Sequence, residues 1–334
     1  MKILIDVFGS DDDISAPIIA TCNMIDKIDS EIILVGKKDD IVSVIEKKYK
    51  NKSKEIIKKI QILECKDYIT NNEEPAWAIK NKKESSIVVA YNYMKTNDNT
   101  VFISAGSTGA VMAGALLKIG RIDGIHRPAL ITILPTITDK KVILLDSGSN
   151  PQAKDISILQ YAKLGMIYSE TVLNVKKPKI ALLNIGEEEE KGTPELKETY
   201  KMLKENIDNF TGNIEARYIL NGDVDVVVCD GLLGNIALKS IEGTAKILKT
   251  VISNAFKTSL LNKLKGIIIK STLTNVLKKY DYKENGGAVL LGVKKPVIKV
   301  HGSSNVSTFE KAIIQAQNML ENNIIEKIEK SIKN

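Results

Sequence analysis

The stretch TVFISAGSTGAVMAGALLKI, residues 100–119, decides the fold. Thr100–Ser104 is a continuous β-branched and aromatic run, the pattern of a strand buried on both faces. Ser104 to Ala110 follows as a glycine-containing loop, and apolar residues at helical spacing continue over 108–119. A strand, a polar loop and a helix thus follow one another.

Outward from this unit the same order recurs. Strands are expected at Lys2–Val7, Glu31–Val35, Ile60–Glu64, Leu130–Leu134, Lys141–Asp146, Lys179–Asn184, Val224–Cys229 and Val297–Val300, with another around Phe210–Ile214. Helical patterns lie at 14–28, 39–50, 76–96, 155–172, 194–204 and 306–331. The alternation predicts an α/β fold of three layers, a mostly parallel sheet with helices on both faces. No linker or composition shift marks a boundary, so residues 1–334 are expected to form a single domain. From about 232 to 280 the strand signal lapses into two long helices joined near Thr258–Leu264. A projecting hairpin of this kind needs a partner for its apolar faces, which predicts a homodimer.

Composition excludes several classes. At 43% hydrophobic and 27% charged the chain is globular rather than disordered. Cys22, Cys65 and Cys229 are too widely spaced for a disulfide framework or a CxxC motif. His126 and His301 are the only histidines, which excludes a multi-histidine metal site. A net charge of +7 with 5% aromatics shows no interleaved basic and aromatic face, so no nucleic-acid partner is expected. Residues 1–7 are too short for a signal-peptide core, and no apolar run approaches the roughly 18 residues of a membrane span. A cytoplasmic protein is expected.

The polar, glycine-containing loops follow the predicted strands, where open α/β sheets place their ligands. They are Asp6–Asp11, Ser104–Ala110, Asp146–Asn150, Asn184–Gly192, Asp230–Asn235 and His301–Asn305. Each alone reads as a turn; together they suggest one cleft for an anion such as phosphate. Glu187–Glu190 reads first as a solvated helix start, and Lys191 after it as a surface residue or a fixed cation facing the cleft. No GxSxG elbow or HExxH motif is present, and neither histidine has a local triad partner.

SAGSTGA (104–110), GIHRPAL (124–130), LLNIGEEEEKG (182–192), VVVCDGLLGN (226–235), GGAVLLGV (286–293) and KVHGSSN (299–305) together resemble the PlsX family, the bacterial phosphate acyltransferases of phospholipid synthesis. The likeness runs nearly end to end. Departures are Asp6-Val7-Phe8-Gly9-Ser10-Asp11 where the family has DAMGGD, Ser107 in place of an Asn, Ser149 in the usual DxGAN, and Lys80-Asn81-Lys82-Lys83 where the family is rich in arginine. The resemblance implies a fold like that of the isocitrate and isopropylmalate dehydrogenases. It implies transfer of a fatty acyl group from acyl-acyl carrier protein to inorganic phosphate, with no cofactor and no metal. It further implies a homodimer attached peripherally to the cytoplasmic membrane, with the downstream glycerol-3-phosphate acyltransferase as a further partner.

Ionised phosphate attacks a thioester without a strong protein base, so such a site must position it, stabilise the oxyanion and exclude water. Lys191 is then expected to neutralise charge, Asn235 to donate to the oxyanion or phosphate, and His301 to protonate the departing thiolate. Asp146 and Asp230 are expected to orient donors, since free carboxylates repel phosphate. Phosphate binding is assigned to Asp6, Gly9, Ser104, Gly106, Ser107, Thr108, Gly109, Gly148, Asn150, Asn184, Gly234, Ser303 and Ser304, with the backbone N–H groups of Gly106–Gly109 and Gly148–Asn150 as donors. At the hairpin tip Phe256, Leu260 and Leu261 alternate with lysines, a basic amphipathic segment suited to an anionic membrane or to the dimer interface. With only Arg121, Arg127 and Arg217 as arginines, each is expected to use its planar fork, most simply in a structural pair. The competing activities are a phosphotransacetylase or phosphotransbutyrylase using acyl-CoA, an NAD-linked hydroxyacid dehydrogenase, and a non-catalytic membrane scaffold.

Overall fold

A computed structural model of the chain describes residues 1–10, 14–258, 262, 269 and 286–333. The chain divides into two compact units. The first comprises Met1–Ile131, Ile167–Asn174 and Gly286–Asn334; the second comprises Thr132–Met166 and Val175–Asn285.

The first unit holds β1 (Lys2–Asp6), β2 (Glu31–Gly36), β3 (Gln61–Glu64), β4 (Thr100–Ser104), the start of β5 (Ala129–Pro135), β10 (Ala288–Leu291) and β11 (Val297–Lys299). Their order is β3-β2-β1-β4-β11-β10-β5. Pairing is parallel from β3 through β11. The exception is β10, antiparallel to both β11 and β5. A short turn through Gly292, at φ +90°, reverses the chain between β10 and β11, which only antiparallel neighbours permit. Leu4, Ile33, Val35 and Phe102 pack against helices α4 (Pro75–Asn81), α5 (Ser86–Thr96) and α6 (Thr108–Gly114). The alternate residues Ile3, Ile5, Ile32 and Ile103, which point to the other face, are equally buried. Both faces are therefore covered, as the unbroken apolar runs predict.

The second unit holds β6 (Lys141–Leu145), β7 (Ile180–Asn184), β8 (Phe210–Glu215) and β9 (Val226–Val228), ordered β6-β9-β7-β8 with all pairs parallel. Val142, Leu144, Ala181, Leu183 and Val227 pack with Ala237 and Leu238 of α9 (Gly231–Ala255). Gly165 of α7 (Asp155–Thr171) lets that helix press on the sheet: a Cβ there would lie 2.6 Å from Val226 Cγ1. Helix α8 (Pro194–Asn206) starts on Pro194, with the Thr193 hydroxyl accepting from Leu196 N.

Three expectations change. Residues 76–96 form two helices, because the backbone turns at Lys82–Ser85, where Lys82 bridges Asp67 at 3.2 Å and Glu73 at 2.9 Å. Residues 306–331 likewise divide into α10 (Val306–Glu321) and α11 (Ile324–Lys333), the bend falling at Asn323 with φ +48°. The Glu187–Glu190 run is a turn before α8 rather than a helix start, and Glu190 and Glu189 pair with Lys197 and Lys204 of that helix at 3.4 and 2.8 Å. The first arm of the expected hairpin is α9; the second arm, with Leu260 and Leu261, lies outside the described residues. No described helix is long and apolar enough to cross a membrane.

Candidate active site

The strand-end loops gather in two sets, one in each unit. In the first unit, parallel register places the ends of three neighbouring strands side by side, with Ile5 opposite Ile103 and Lys299 opposite Ser104. Asp6 is almost wholly buried there. Its carboxylate accepts from Ser104 Oγ at 2.8 Å and from Phe8 N at 3.0 Å. Ser104 Oγ in turn accepts from Gly106 N at 3.0 Å. Burial raises the Asp6 pKa to about 6, against the opposing pull of these donors and of the Lys299 ammonium. Gly9, at φ +89°, lies so close to the Ser104–Ala110 loop that a Cβ would stand 2.3 Å from Gly106 Cα. Ser107 precedes α6 without a side-chain cap, Thr108 opens the helix, and Gly109 leaves room for Pro75.

The His301 loop belongs to the same unit. His301 is exposed, and its Nδ1 accepts from Ser303 N at 3.1 Å, so a neutral ring carries its proton on Nε2. Asn305 caps α10 by accepting from Thr308 N at 3.0 Å. Among the described residues, the buried hydroxyls of Ser304 and Ser10 have no hydrogen-bond partner. Thr21, Ser30, Ser86 and Ser169, elsewhere in the fold, share that state, so it does not by itself mark a ligand loop.

In the second unit Asp146 organises its own loop. Its carboxylate accepts from Gly148 N at 3.1 Å, Ser149 N at 3.0 Å, Asn150 N at 2.7 Å and Ser149 Oγ at 2.7 Å. The backbone N–H groups of Gly148–Asn150 thus turn inward, which corrects the expectation that they are offered to phosphate: an acidic residue at the strand end captures them first. The start of α9 presses on this loop. Asp230 caps the helix by accepting from Leu233 N at 2.8 Å, and a Cβ on Gly234 would lie 1.9 Å from the Asp146 carbonyl oxygen. Asn235 lies over Gly148, whose Cβ would sit 3.4 Å from its side chain. Cys229 is buried beneath, its thiol held well above the ordinary range by burial and then by the nearby Asp146 and Asp230.

Asn184, also buried, donates through Nδ2 to the Lys191 carbonyl and to Asn213 Oδ1, both at 3.1 Å, and accepts from Ile185 N at 2.8 Å. It shapes the 185–192 loop, which Gly192 closes at φ +92°. Lys191 is half exposed, and its ammonium stands 3.8 Å from Glu188, a loose pair. Beside these loops is a pocket of about 1530 Å³ lined by residues of the second unit, from Asn184, Gly192 and Asp230 along α9 to Leu248.

Lys299 and Asn213 escaped the sequence reading. Lys299 ends β11 beside assigned residues, a signal within reach. Asn213 acts through the β7–β8 register, which no local pattern reveals. Of the arginines, Arg121 donates to the His126 carbonyl, and Arg217 pairs with Glu215 at 2.7 Å over the Tyr218 ring.

The chain matches a family model described as "Fatty acid synthesis protein" over residues 1–327. It is 44% identical to the phosphate acyltransferase of Thermoanaerobacterium thermosaccharolyticum, covering 100% of this chain and 97% of that protein. Among solved structures, a phosphotransacetylase from Streptococcus pyogenes aligns with a TM-score of 0.62 at 18% identity, over 96% of this chain and 94% of that one. A 4-hydroxythreonine-4-phosphate dehydrogenase from Klebsiella pneumoniae aligns with a TM-score of 0.53 at 10% identity, over 96% and 98%. These two likenesses establish a shared fold, a mostly parallel α/β sheet with flanking helices.

Proposed function

Because the chain belongs to the phosphate acyltransferase family, we propose that it transfers a fatty acyl group from acyl-acyl carrier protein to inorganic phosphate, giving acyl phosphate for phospholipid synthesis. The observation that carries the mechanism is how the second-unit carboxylates and thiol are engaged. Asp146 accepts from its own loop, Asp230 caps α9, and the Cys229 thiol is buried with a raised pKa. A nucleophile supplied by the substrate fits this arrangement better than one supplied by these side chains.

Phosphate attacks the thioester carbonyl carbon, a P–O–C bond forms, and collapse of the tetrahedral intermediate breaks the C–S bond. The thiolate leaves and takes a proton. Lys191 neutralises developing charge and Asn235 donates to the oxyanion. Asp146, Asn184 and Asp230 are positioning residues that fix the loops around them. As an imidazolium His301 serves as the acid, its Nδ1–H donating to Ser303 Oγ across 2.9 Å, which leaves the Ser303 hydroxyl proton, with that of Ser304, for phosphate. The protein works as a cytoplasmic homodimer with peripheral membrane contact. The exposed Ile247 and Val251 of α9 support a covering partner, and the net charge of +7 suits an acidic carrier and an anionic membrane.

Mass spectrometry of products from phosphate with palmitoyl-acyl carrier protein, or with acyl-CoA, tests the reading. Acyl phosphate should form from the carrier-bound donor, and Lys191→Ala should lower the rate at least tenfold without changing the thermal melt. Absence of acyl phosphate, or a preference for short-chain acyl-CoA, would overturn it.

A further inference from the structure

We infer that the pocket of the second unit is the subsite for a long unbranched acyl chain, with chain length set by the small residues of α9. This inference rests on the acyl-transfer reading and adds the location and the length limit. Leu232, Ile236, Ser240, Thr244 and Leu248 line the pocket at a spacing of four residues, with Ala245 beside them. One face of α9 therefore forms a wall about 24 Å long, at roughly 1.5 Å per residue. An extended chain advances about 1.25 Å per methylene, given a C–C bond of roughly 1.5 Å. A chain of about 16 to 18 carbons is about 19 to 21 Å long and covers most of that wall, leaving about one turn at the head for the thioester.

The polarity of the wall fits the same occupant. One end meets the polar loops through Asn184, Gly192 and Asp230, where a thioester or acyl phosphate head belongs. Of the other charges that line it, Glu215 pairs with Arg217 at 2.7 Å and Glu242 with Lys239 at 2.8 Å, while Asp155 and Glu195 stand in the first turns of α7 and α8, where acids suit the helix dipole. Between them Leu183 and Leu220 face α9 across the pocket with hydrocarbon surface. An acetyl group would fill only the first turn of such a groove, and its wall would then select nothing. Ser240, Thr244 and Ala245 keep the groove open where bulkier side chains would close it.

The test is the acyl-length profile of the full chain with saturated C8 to C18 carrier-bound donors, together with direct binding of a fluorescent C16 fatty-acid probe. The wild-type kcat/KM should rise roughly threefold to fourfold for each methylene that enters the groove, and level off near C16 to C18. Ser240→Phe narrows the groove about 12 Å along α9. It should lower the C16-to-C8 ratio at least tenfold and weaken the C16 probe by a similar factor. Ala245→Trp should shift the profile only for the longest chains. Ser240 and Ala245 are exposed helix positions, so both variants should keep the wild-type circular dichroism. An unchanged length ratio with unchanged probe binding overturns the subsite, and so does an equal loss at every length. A changed oligomeric state with no change in probe binding assigns this face to a second copy and overturns it too. If the wild type binds the probe as expected yet makes no acyl phosphate, the groove stands and the acyl-transfer reading fails.

Discussion

Asp6→Asn isolates the energetic cost of a charge buried at the end of β1. The Asp6 carboxyl titrates at about 6 in the folded protein against an ordinary 3.8. The folded state thus holds the proton more tightly than the unfolded state, a difference of about 3 kcal/mol. The sign follows directly: Asp6 contributes most stability at low pH and loses it as pH rises through about 4 to 6, and above pH 7 the ionised group is a fixed cost. Integrating between pH 4.5 and pH 7.5 gives about 2 kcal/mol. Asparagine keeps the shape and does not titrate, so wild-type stability minus that of Asp6→Asn should fall by that amount over the interval. Other titrations are shared by both proteins and cancel. Trp77, the only tryptophan in the chain, lies in α4 of the first unit, so its fluorescence in urea reports the relevant unfolding. A flat difference would refute the reasoning. A difference that rises with pH would show that Ser104, Phe8 and Lys299 stabilise the carboxylate more than burial penalises it.

Two glycines of α9 should respond oppositely to alanine. Gly234→Ala drives a Cβ to 1.9 Å from the Asp146 carbonyl oxygen and should destabilise the second unit by about 2 kcal/mol or more. Gly243→Ala meets nothing within 4 Å and should stabilise by roughly 0.5–1 kcal/mol, both read by circular dichroism in urea. Lys82→Met removes the bridges to Asp67 and Glu73 and a 2.9 Å bond to the Tyr68 carbonyl. It should cost about 1 kcal/mol by Trp77 fluorescence, because the side chain is only a quarter exposed.

How far the sequence is legible depends on how local the cause is. Thr100–Ser104 is read to the residue because a β-branched run buried on both faces has no helical alternative. Ala288–Leu291 is missed: four apolar residues behind Gly286 and Gly287 look like a turn until β11 and β5 are present to pair with them. The break at Lys82–Ser85 carries no proline or glycine, and its cause, the acids Asp67 and Glu73, comes from an earlier loop. In the site, loop membership follows from strand ends and is readable. The direction of an amide is not: Gly148–Asn150 face Asp146 because of a side chain that elsewhere would merely flank a ligand. The apolar face of α9 was visible as a helix needing cover, but the pocket also needs Leu183 and Leu220 from other elements.

The near-contact of Gly9 with Gly106 couples two loops that are far apart in sequence. Gly9 can carry no side chain at that crossing, whereas a Cβ on Gly106 points elsewhere, 3.1 Å from Ser104 Oγ and 3.2 Å from Ile87 Cδ1. Gly9→Ala should therefore force the two loops apart, while Gly106→Ala should crowd Ser104 and Ile87 and leave the crossing closed, so the two costs arise from different contacts. The constraint sits on one side of the contact, at Gly9, and it holds the β1 and β4 loops in register before any ligand arrives.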